Sequence, residues 1–439
     1  MSIFKACDVR GVYPDQLDEQ LAENIARAIG SQFKGTCVLG GDLRPSTSPL
    51  KKAVSRGLQA TGIDVVDIGL APTPAVYWAQ REFGHDGAVI VTASHNPAEY
   101  NGIKFALGPR PTTPDVMRKT ECLVHDENFA EGKGSFREKP IKDEYLAWVE
   151  KSFRNVGTGL HVVVDAGNGC ASEWAPPALS SAGCEVIELN CEPDGTFPNR
   201  SPNPAKPEAL RESGCFAASK NADFTVAFDG DADRAVFLNE NGKYVDSDKS
   251  LIILARELLA HAEDNATVVY DVKCSDQVPE QIRAAGGYPV AERSGYAFIK
   301  SRLLDENALF AGEASGHFFF RELGGDDGIY AALKMASLLA RKNQPFSEIL
   351  QSIPPYYITP DIRMPRPGGD GRAVIEKLKN AFSNRPQNET DGVRIDFEHG
   401  WALCRESVTE PVVTLRFEGD TPEDRDRIKE RVISQIPPV

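Results

Sequence analysis

No apolar run in this chain approaches the ~20 residues that a membrane-spanning helix needs, so a helical membrane anchor is not expected. Positive charge is also in short supply. There are 49 Lys and Arg against 64 Asp and Glu, a formal net charge of −15. That sign disfavours nucleic acid or an anionic membrane as a partner. It leaves room for a small anionic substrate, which needs only a local basic pocket. Cysteines lack the patterns that would give them a structural role. Nine is an odd number, with no CxxC and no framework spacing, and Cys37 and Cys184 sit in the apolar or mixed runs TCVLGG and AGCEVIEL. Reduced thiols in a cytoplasmic protein are expected. The first residues, MSIFKACDVRGVYP, lack the charged-then-apolar pattern of a secretory signal. The GxSxG elbow of a serine hydrolase is missing too.

What remains is ordinary globular composition, 41% apolar and 26% charged over 439 residues. That length suits two to four domains with a large core and no need of a disulfide or metal staple. Three segments share one plan: TCVLGGDLRPSTSPLKKAVSRGLQATGIDVVDIG, HVVVDAGNGCASEWAPPALSSAGCEVIELN and ATVVYDVKCSDQVPEQIRAAGGYPVAERSG. Each opens with a buried-strand pattern that leads to an aspartate: Asp42, Asp165 or Asp271. A polar loop and a helix follow, closed by Gly62, Gly183 and Gly286 or Gly287, and then a second strand. Later in each unit another apolar run empties into a polar loop: AVIVTASHNP, FTVAFDGDADR and ALFAGEASGH. Ligands of such sheets collect at the carboxyl ends of strands. The expected fold is therefore three related mixed-sheet α/β domains plus a C-terminal α+β domain around one cleft. The expected boundaries are 1–142, 143–245, 246–355 and 356–439, the last after the Pro- and Gly-rich PPYYITPDIRMPRPGGDG.

The loops hold the chemistry. Ser94 stands where a buried strand opens into TASHNP, with His95 beside it and Lys104 ten residues on. Adjacent residues rarely make a nucleophile–base pair, which argues against a hydrolase. DGDADR sets Asp229, Asp231 and Asp233 at alternate positions, where they can converge on one hard cation. An EF-hand is excluded, because its sixth position is Arg234 rather than glycine and its flanks read as strands. GEASGH offers Glu313 and Ser315 as a pair able to bond vicinal hydroxyls. His317 beside them reads equally as a ligand-facing group or a core histidine near three phenylalanines. CRESVTEP gathers Arg405, Ser407 and Thr409 as anion donors.

With these motifs in this order, the chain resembles the α-D-phosphohexomutase superfamily, and most closely its phosphomannomutase/phosphoglucomutase branch. The resemblance covers essentially the whole chain. It implies reversible phosphoryl transfer between O6 and O1 of a hexose phosphate through a hexose 1,6-bisphosphate, which also serves as activator. By the same resemblance Ser94 is the phosphoryl-carrying serine, and Asp229, Asp231 and Asp233 are Mg²⁺ ligands together with phospho-Ser94. Arg10 in FKACDVRG and Arg234 are active-site arginines, and Lys104 and His317 serve as general acid and base. Glu313 and Ser315 read sugar hydroxyls, Lys273 and Tyr296 face the third-domain cleft, and Arg405, Ser407 and Thr409 clamp the non-reacting phosphate. The partner implied is a small hexose phosphate, bound by a monomer or weak dimer.

Three positions depart from that pattern. Tyr296 in RSGYAFIK stands where the branch often has histidine, and Val408 stands between the clamp's serine and threonine. Both bear on sugar preference. Arg200 in PNRSPNP also replaces a common histidine and is expected to lie outside direct contact with substrate. The rival readings are a phosphoglucosamine mutase, against which Val408 argues, and a catalytically silent sugar-phosphate-binding protein. The silent protein would be expected to have lost Ser94 or a metal carboxylate.

Overall fold

The computed structural model describes residues 2–365, 371–407 and 412–436. Its first three sheets repeat one strand order. In each, a central strand is flanked by two parallel neighbours, and beyond one of these lie two antiparallel strands. The central strands are Thr36–Gly41, His161–Asp165 and Thr267–Asp271. Their sequences, TCVLGG, HVVVD and TVVYD, are short apolar runs without clean alternation, as strands covered by helices on both faces require. The glycine after each crossover helix has positive φ: Gly62 (87°), Gly183 (93°) and Gly286 (82°). Gly286, not Gly287, is therefore the third cap.

The second half of the unit explains why the sheets are mixed rather than parallel. The strands Gly87–Val91, Phe224–Phe228 and Phe310–Gly312 do not lead into helices. Each turns through a short loop and returns as an antiparallel partner: Tyr100–Leu107, Ala235–Asn239 and Phe318–Phe320. That loop is where each set of polar residues sits. In the first sheet the outermost antiparallel strand is the early Val9–Val12, which brings Arg10 to the same end.

One continuous core joins these three sheets. Val38 and Trp78, Val162 and Phe228, and Phe310 and Phe320 all belong to it. The C-terminal part is different. Its six-stranded antiparallel sheet packs against the helices Gly371–Ala381 and Pro422–Ile433 around a core of its own, including Val374, Leu378, Leu415 and Phe417. It meets the third sheet through a small cluster of Val272, Trp401 and Leu403. No helix among the described residues is long and apolar enough to cross a membrane.

Candidate active site

The three polar loops converge. Ser94 lies one loop beyond Gly87–Val91 and has φ 51°, a left-handed conformation that costs a non-glycine residue ~1–3 kcal/mol. Its surroundings hold it there. The Arg44 guanidinium donates to the carbonyls of Ser94 (2.8 Å), Asn96 (2.7 Å) and Pro97 (2.5 Å), while its Nε pairs with Asp42 at 2.9 Å. The Ser94 amide donates to Thr92 Oγ1 at 2.8 Å. The serine hydroxyl then donates to Asp229 Oδ2, also at 2.8 Å.

DGDADR supplies the other wall. Gly230 passes so close to the serine loop that a Cβ there would stand 2.5 Å from the Ser94 carbonyl oxygen, so only glycine lets the loops meet. Asp229, Asp231 and Asp233 are all buried. Lys104, itself buried on Tyr100–Leu107, lies 2.9 Å from Asp231 and 2.6 Å from Asp233. Thr73, at the start of the helix Thr73–Glu82, donates to Asp231 Oδ2 at 2.7 Å. Burial, with Asp233 and Asp231 alongside, pushes the Asp229 carboxyl pKa well above its ordinary range.

The acidic group fits a small divalent cation. The three carboxylates each offer an oxygen within 4.8 Å of the others. Asp231 Oδ1 and Asp233 Oδ1 are buried and have no hydrogen-bond partner. Orphaned carboxylate oxygens with surplus negative charge are what a hard cation such as Mg²⁺ would satisfy. A second set, Asp233, His317 and Asp326, meets the same spacing. There the histidine is already engaged: Arg234 Nε donates to His317 Nε2 at 3.0 Å, which leaves the imidazole proton on Nδ1, 2.7 Å from Asp326. His317 also stacks on Phe319 at 5.9 Å, so it is both a core histidine and a member of the site.

Arg10 pairs with Asp8 at 2.8 Å and donates to Asn96 Oδ1 at 2.6 Å, at the edge of the serine loop. Glu313 and Ser315 bond each other at 2.8 Å, and the Glu313 amide donates to the His317 carbonyl. Glu313 Oε1 has no partner, and burial raises the Glu313 pKa. The Tyr296 ring lies 5.3 Å from Lys104 Nζ, and its hydroxyl donates to the Cys7 carbonyl at 3.1 Å. The third sheet is thereby tied to the first.

A second group lies where the third and fourth sheets meet. Arg405 pairs with Asp391, whose other bond comes from the Ser294 amide. Lys273 Nζ is 3.1 Å from Asp361. The Ser407 amide donates to the Val412 carbonyl. Thr409 and Val408 fall outside the described residues. Among the described residues no hydrogen bond or ion pair links this second group to the triad.

Sequence reasoning overlooked Arg44, Thr73 and Asp326. The first had a visible signal, since DLR places an arginine two residues after the strand-ending aspartate. Thr73 lies 158 positions from Asp231 in the chain, and Asp326, nine residues after His317, sits in a stretch with no motif to mark it.

Known proteins match this chain along nearly its whole length. Four phosphoglucomutase/phosphomannomutase models match: α/β/α domain I over 1–131, domain II over 143–242, domain III over 246–357 and the C-terminal domain over 362–435. A phosphomannomutase/phosphoglucomutase of Pseudomonas aeruginosa is 36% identical over 436 residues, covering 98% of this chain and 94% of the relative. A phosphoglucomutase of Neisseria gonorrhoeae is 37% identical over 444 residues, covering 98% and 95%. The crystal structure of a phosphoglucomutase/phosphomannomutase family protein from Burkholderia thailandensis superposes with a TM-score of 0.92 at 34% identity, covering 99% of this chain and 96% of that one. With its four sheets, its serine among three buried carboxylates and matches of this extent, the chain belongs to the phosphoglucomutase/phosphomannomutase family.

Proposed function

We propose that this protein moves a phosphoryl group reversibly between O6 and O1 of mannose or glucose phosphate, with Ser94 as the carrier. The observation that carries the reading is the Ser94 hydroxyl 2.8 Å from Asp229, one member of the acidic triad. Its nearest imidazole is a poor general base: His95 Nδ1 is 3.3 Å away, but burial and the Arg234, Arg10 and Lys104 charges hold its pKa well below the ordinary value. A phosphoryl carrier needs neighbouring charge stabilisation more than such a base.

In this reading phospho-Ser94 loses its phosphoryl group to the free hydroxyl of a sugar monophosphate. The P–O bond to Ser94 breaks, a P–O bond to the sugar forms, and the hydroxyl proton passes to a base. The bisphosphate turns around, and Ser94 takes back the other phosphoryl group. Lys104 and His317 exchange protons with the sugar oxygen and the serine, and Arg10 and Arg234 balance charge on the transferring group. Asp229, Asp231 and Asp233 would hold Mg²⁺, which supplies Lewis-acid neutralisation of that charge. Glu313 and Ser315 bond sugar hydroxyls, and Tyr296 and Lys273 line the third-domain side. Arg405, Ser407 and Thr409 clamp the phosphate that does not react. Four units, 1–142, 143–245, 246–355 and 356–439, each bring one of these groups. The separate core of the last suits a lid that opens without disturbing the shared core. Hexose 1,6-bisphosphate restores any enzyme that has lost its phosphoryl group. The protein acts in the cytoplasm, as a monomer or weak dimer.

The test is intact mass of the purified protein, followed by ³¹P NMR with mannose 6-phosphate, glucose 6-phosphate and glucosamine 6-phosphate, each with Mg²⁺ and catalytic 1,6-bisphosphate. One phosphoryl group mapped to Ser94, with 1-phosphate formed from mannose or glucose, is the expected result. An unmodified serine and no isomerisation of any sugar would instead favour a silent sugar-phosphate-binding protein. Arg405→Ala should raise KM for mannose and glucose phosphates alike. The loss should be about 10- to 100-fold, as removal of ~1.5–3 kcal/mol of charge-assisted bonding implies. A loss confined to one sugar would show that Arg405 reads the sugar instead.

A further inference from the structure

The repeat carries a device that the reaction does not use directly. Each of the first three sheets ends its central strand on, or one residue before, a buried aspartate, and a cation lies against each one. Arg44 Nε is 2.9 Å from Asp42, Arg200 Nε is 2.9 Å from Asp165, and Lys273 Nζ is 4.0 Å from Asp271. In the first sheet the rest of the guanidinium holds the carbonyls of the serine loop. In the second, Arg200 Nη2 donates to the Phe228 carbonyl at 2.8 Å and to the Asp165 carbonyl at 3.1 Å, while Nη1 donates to the Ser201 carbonyl at 3.0 Å. Phe228 is the last residue of its strand, and Asp229 follows it.

Asp165 is in turn fixed by Ser213 Oγ at 2.5 Å, by Asn190 Nδ2 at 3.1 Å and by the Gly167 amide at 2.9 Å. The guanidinium lies flat across Gly167, where a Cβ would stand 2.6 Å from its carbon. The Arg200 side chain is 5% exposed and charge-paired, and it touches no carboxylate of the triad. The third copy lacks this arrangement: Lys273 reaches out to Asp361, and the loop it would have held carries neither the serine nor a triad carboxylate.

We infer that Arg200 is a positioning residue for the metal-binding loop: by tying the Phe228 carbonyl to Asp165 it sets where the Asp229 carboxylate stands. The inference rests on the reading of Asp229, Asp231 and Asp233 as the metal site. Only a planar guanidinium spans the carboxylate on one edge and the strand-end carbonyls on the other. A lysine offers a point charge that serves one or the other.

The experiment is Mn²⁺ titration followed by EPR on the full-length protein, for the parent, Arg200→Ala, Arg200→Lys and Asp231→Asn. Both Arg200 variants should bind Mn²⁺ about tenfold more weakly, in the range typical of residues that orient metal ligands. KM for sugar phosphate should stay within about twofold, a split that loss of fold would not give. Arg200→Lys keeps the charge and provides the reading if Arg200→Ala does not fold. Mn²⁺ affinity within about twofold of the parent in Arg200→Lys, with a lowered Tm, would make Arg200 a structural residue only and overturn the inference. Absence of Mn²⁺ binding in the parent, or binding that survives Asp231→Asn, would overturn the metal-site reading itself and the inference with it.

Discussion

Ser94→Ala is expected to lower kcat by at least about 10⁴-fold, equivalent to ~5 kcal/mol of barrier, while Kd for sugar phosphates changes little. The reason is positional. The hydroxyl lies between Asp229 at 2.8 Å and His95 at 3.3 Å, and the carboxylates around it repel an incoming phosphoryl group unless a cation neutralises them. Arg405, which would hold the substrate phosphate, and Lys273, which would line the third-domain side, lie in a separate group of contacts, so binding should survive. Backbone geometry adds a second expectation. At φ 51° alanine keeps the strain that serine carries, whereas glycine relieves it. Ser94→Gly should be as inactive as Ser94→Ala but ~1 kcal/mol more stable in chemical denaturation. Undiminished kcat in either variant would remove Ser94 as the carrier. Equal stability of the two would show that the loop relaxes and stores no strain.

Lys104→Met should be the most destabilising single change in the site. Lys104 Nζ is 2.9 Å from Asp231 and 2.6 Å from Asp233, and all three are buried. Its charge is the main relief for Asp231 and Asp233: with it in place, the Asp233 pKa lies below its ordinary value despite burial. Removing one partner of a buried pair costs ~3–5 kcal/mol, because the other charge is left without compensation. In metal-free buffer that loss should appear in full. Mg²⁺ at saturating concentration should return much of it, since the ion replaces the missing positive charge. Turnover should nonetheless stay about 10²- to 10⁴-fold low, the range for loss of a general acid–base group. The measurement is urea denaturation of the parent and the variant with EDTA and with Mg²⁺. A destabilisation that Mg²⁺ leaves unchanged would mean that Lys104 and the metal do not share the same carboxylates.

Much of the site was legible locally because its residues come in short loops after recognisable strands. TASHNP, DGDADR and GEASGH each follow an apolar run, and the structure places all three at equivalent ends of related sheets. Gly62 and Gly183 were legible for a similar reason, since a helix followed by a strand needs a left-handed cap, whereas the third cap was legible only as Gly286 or Gly287 until φ at Gly286 decided it. Other features were not local. Thr73 reaches Asp231 across 158 positions of sequence, and Tyr145 reaches Asp327 across 182. Arg200 could be seen as an odd residue in PNRSPNP, but its contact with the Phe228 carbonyl depends on how two strands and a loop pack.

The repeated strand–helix–strand unit, the three polar loops and the family they resemble can be read from the order of residues along the chain. Apolar periodicity, turn residues and alternate carboxylates are properties of neighbours along the chain. Only packing shows that Lys104 of the first sheet neutralises Asp231 and Asp233 of the second, that Arg234 and Asp326 hold His317 between them, and that the first three sheets share one core. Charge compensation and hydrogen-bond partners are set by which buried groups face one another, and that is fixed only when the separate sheets pack together.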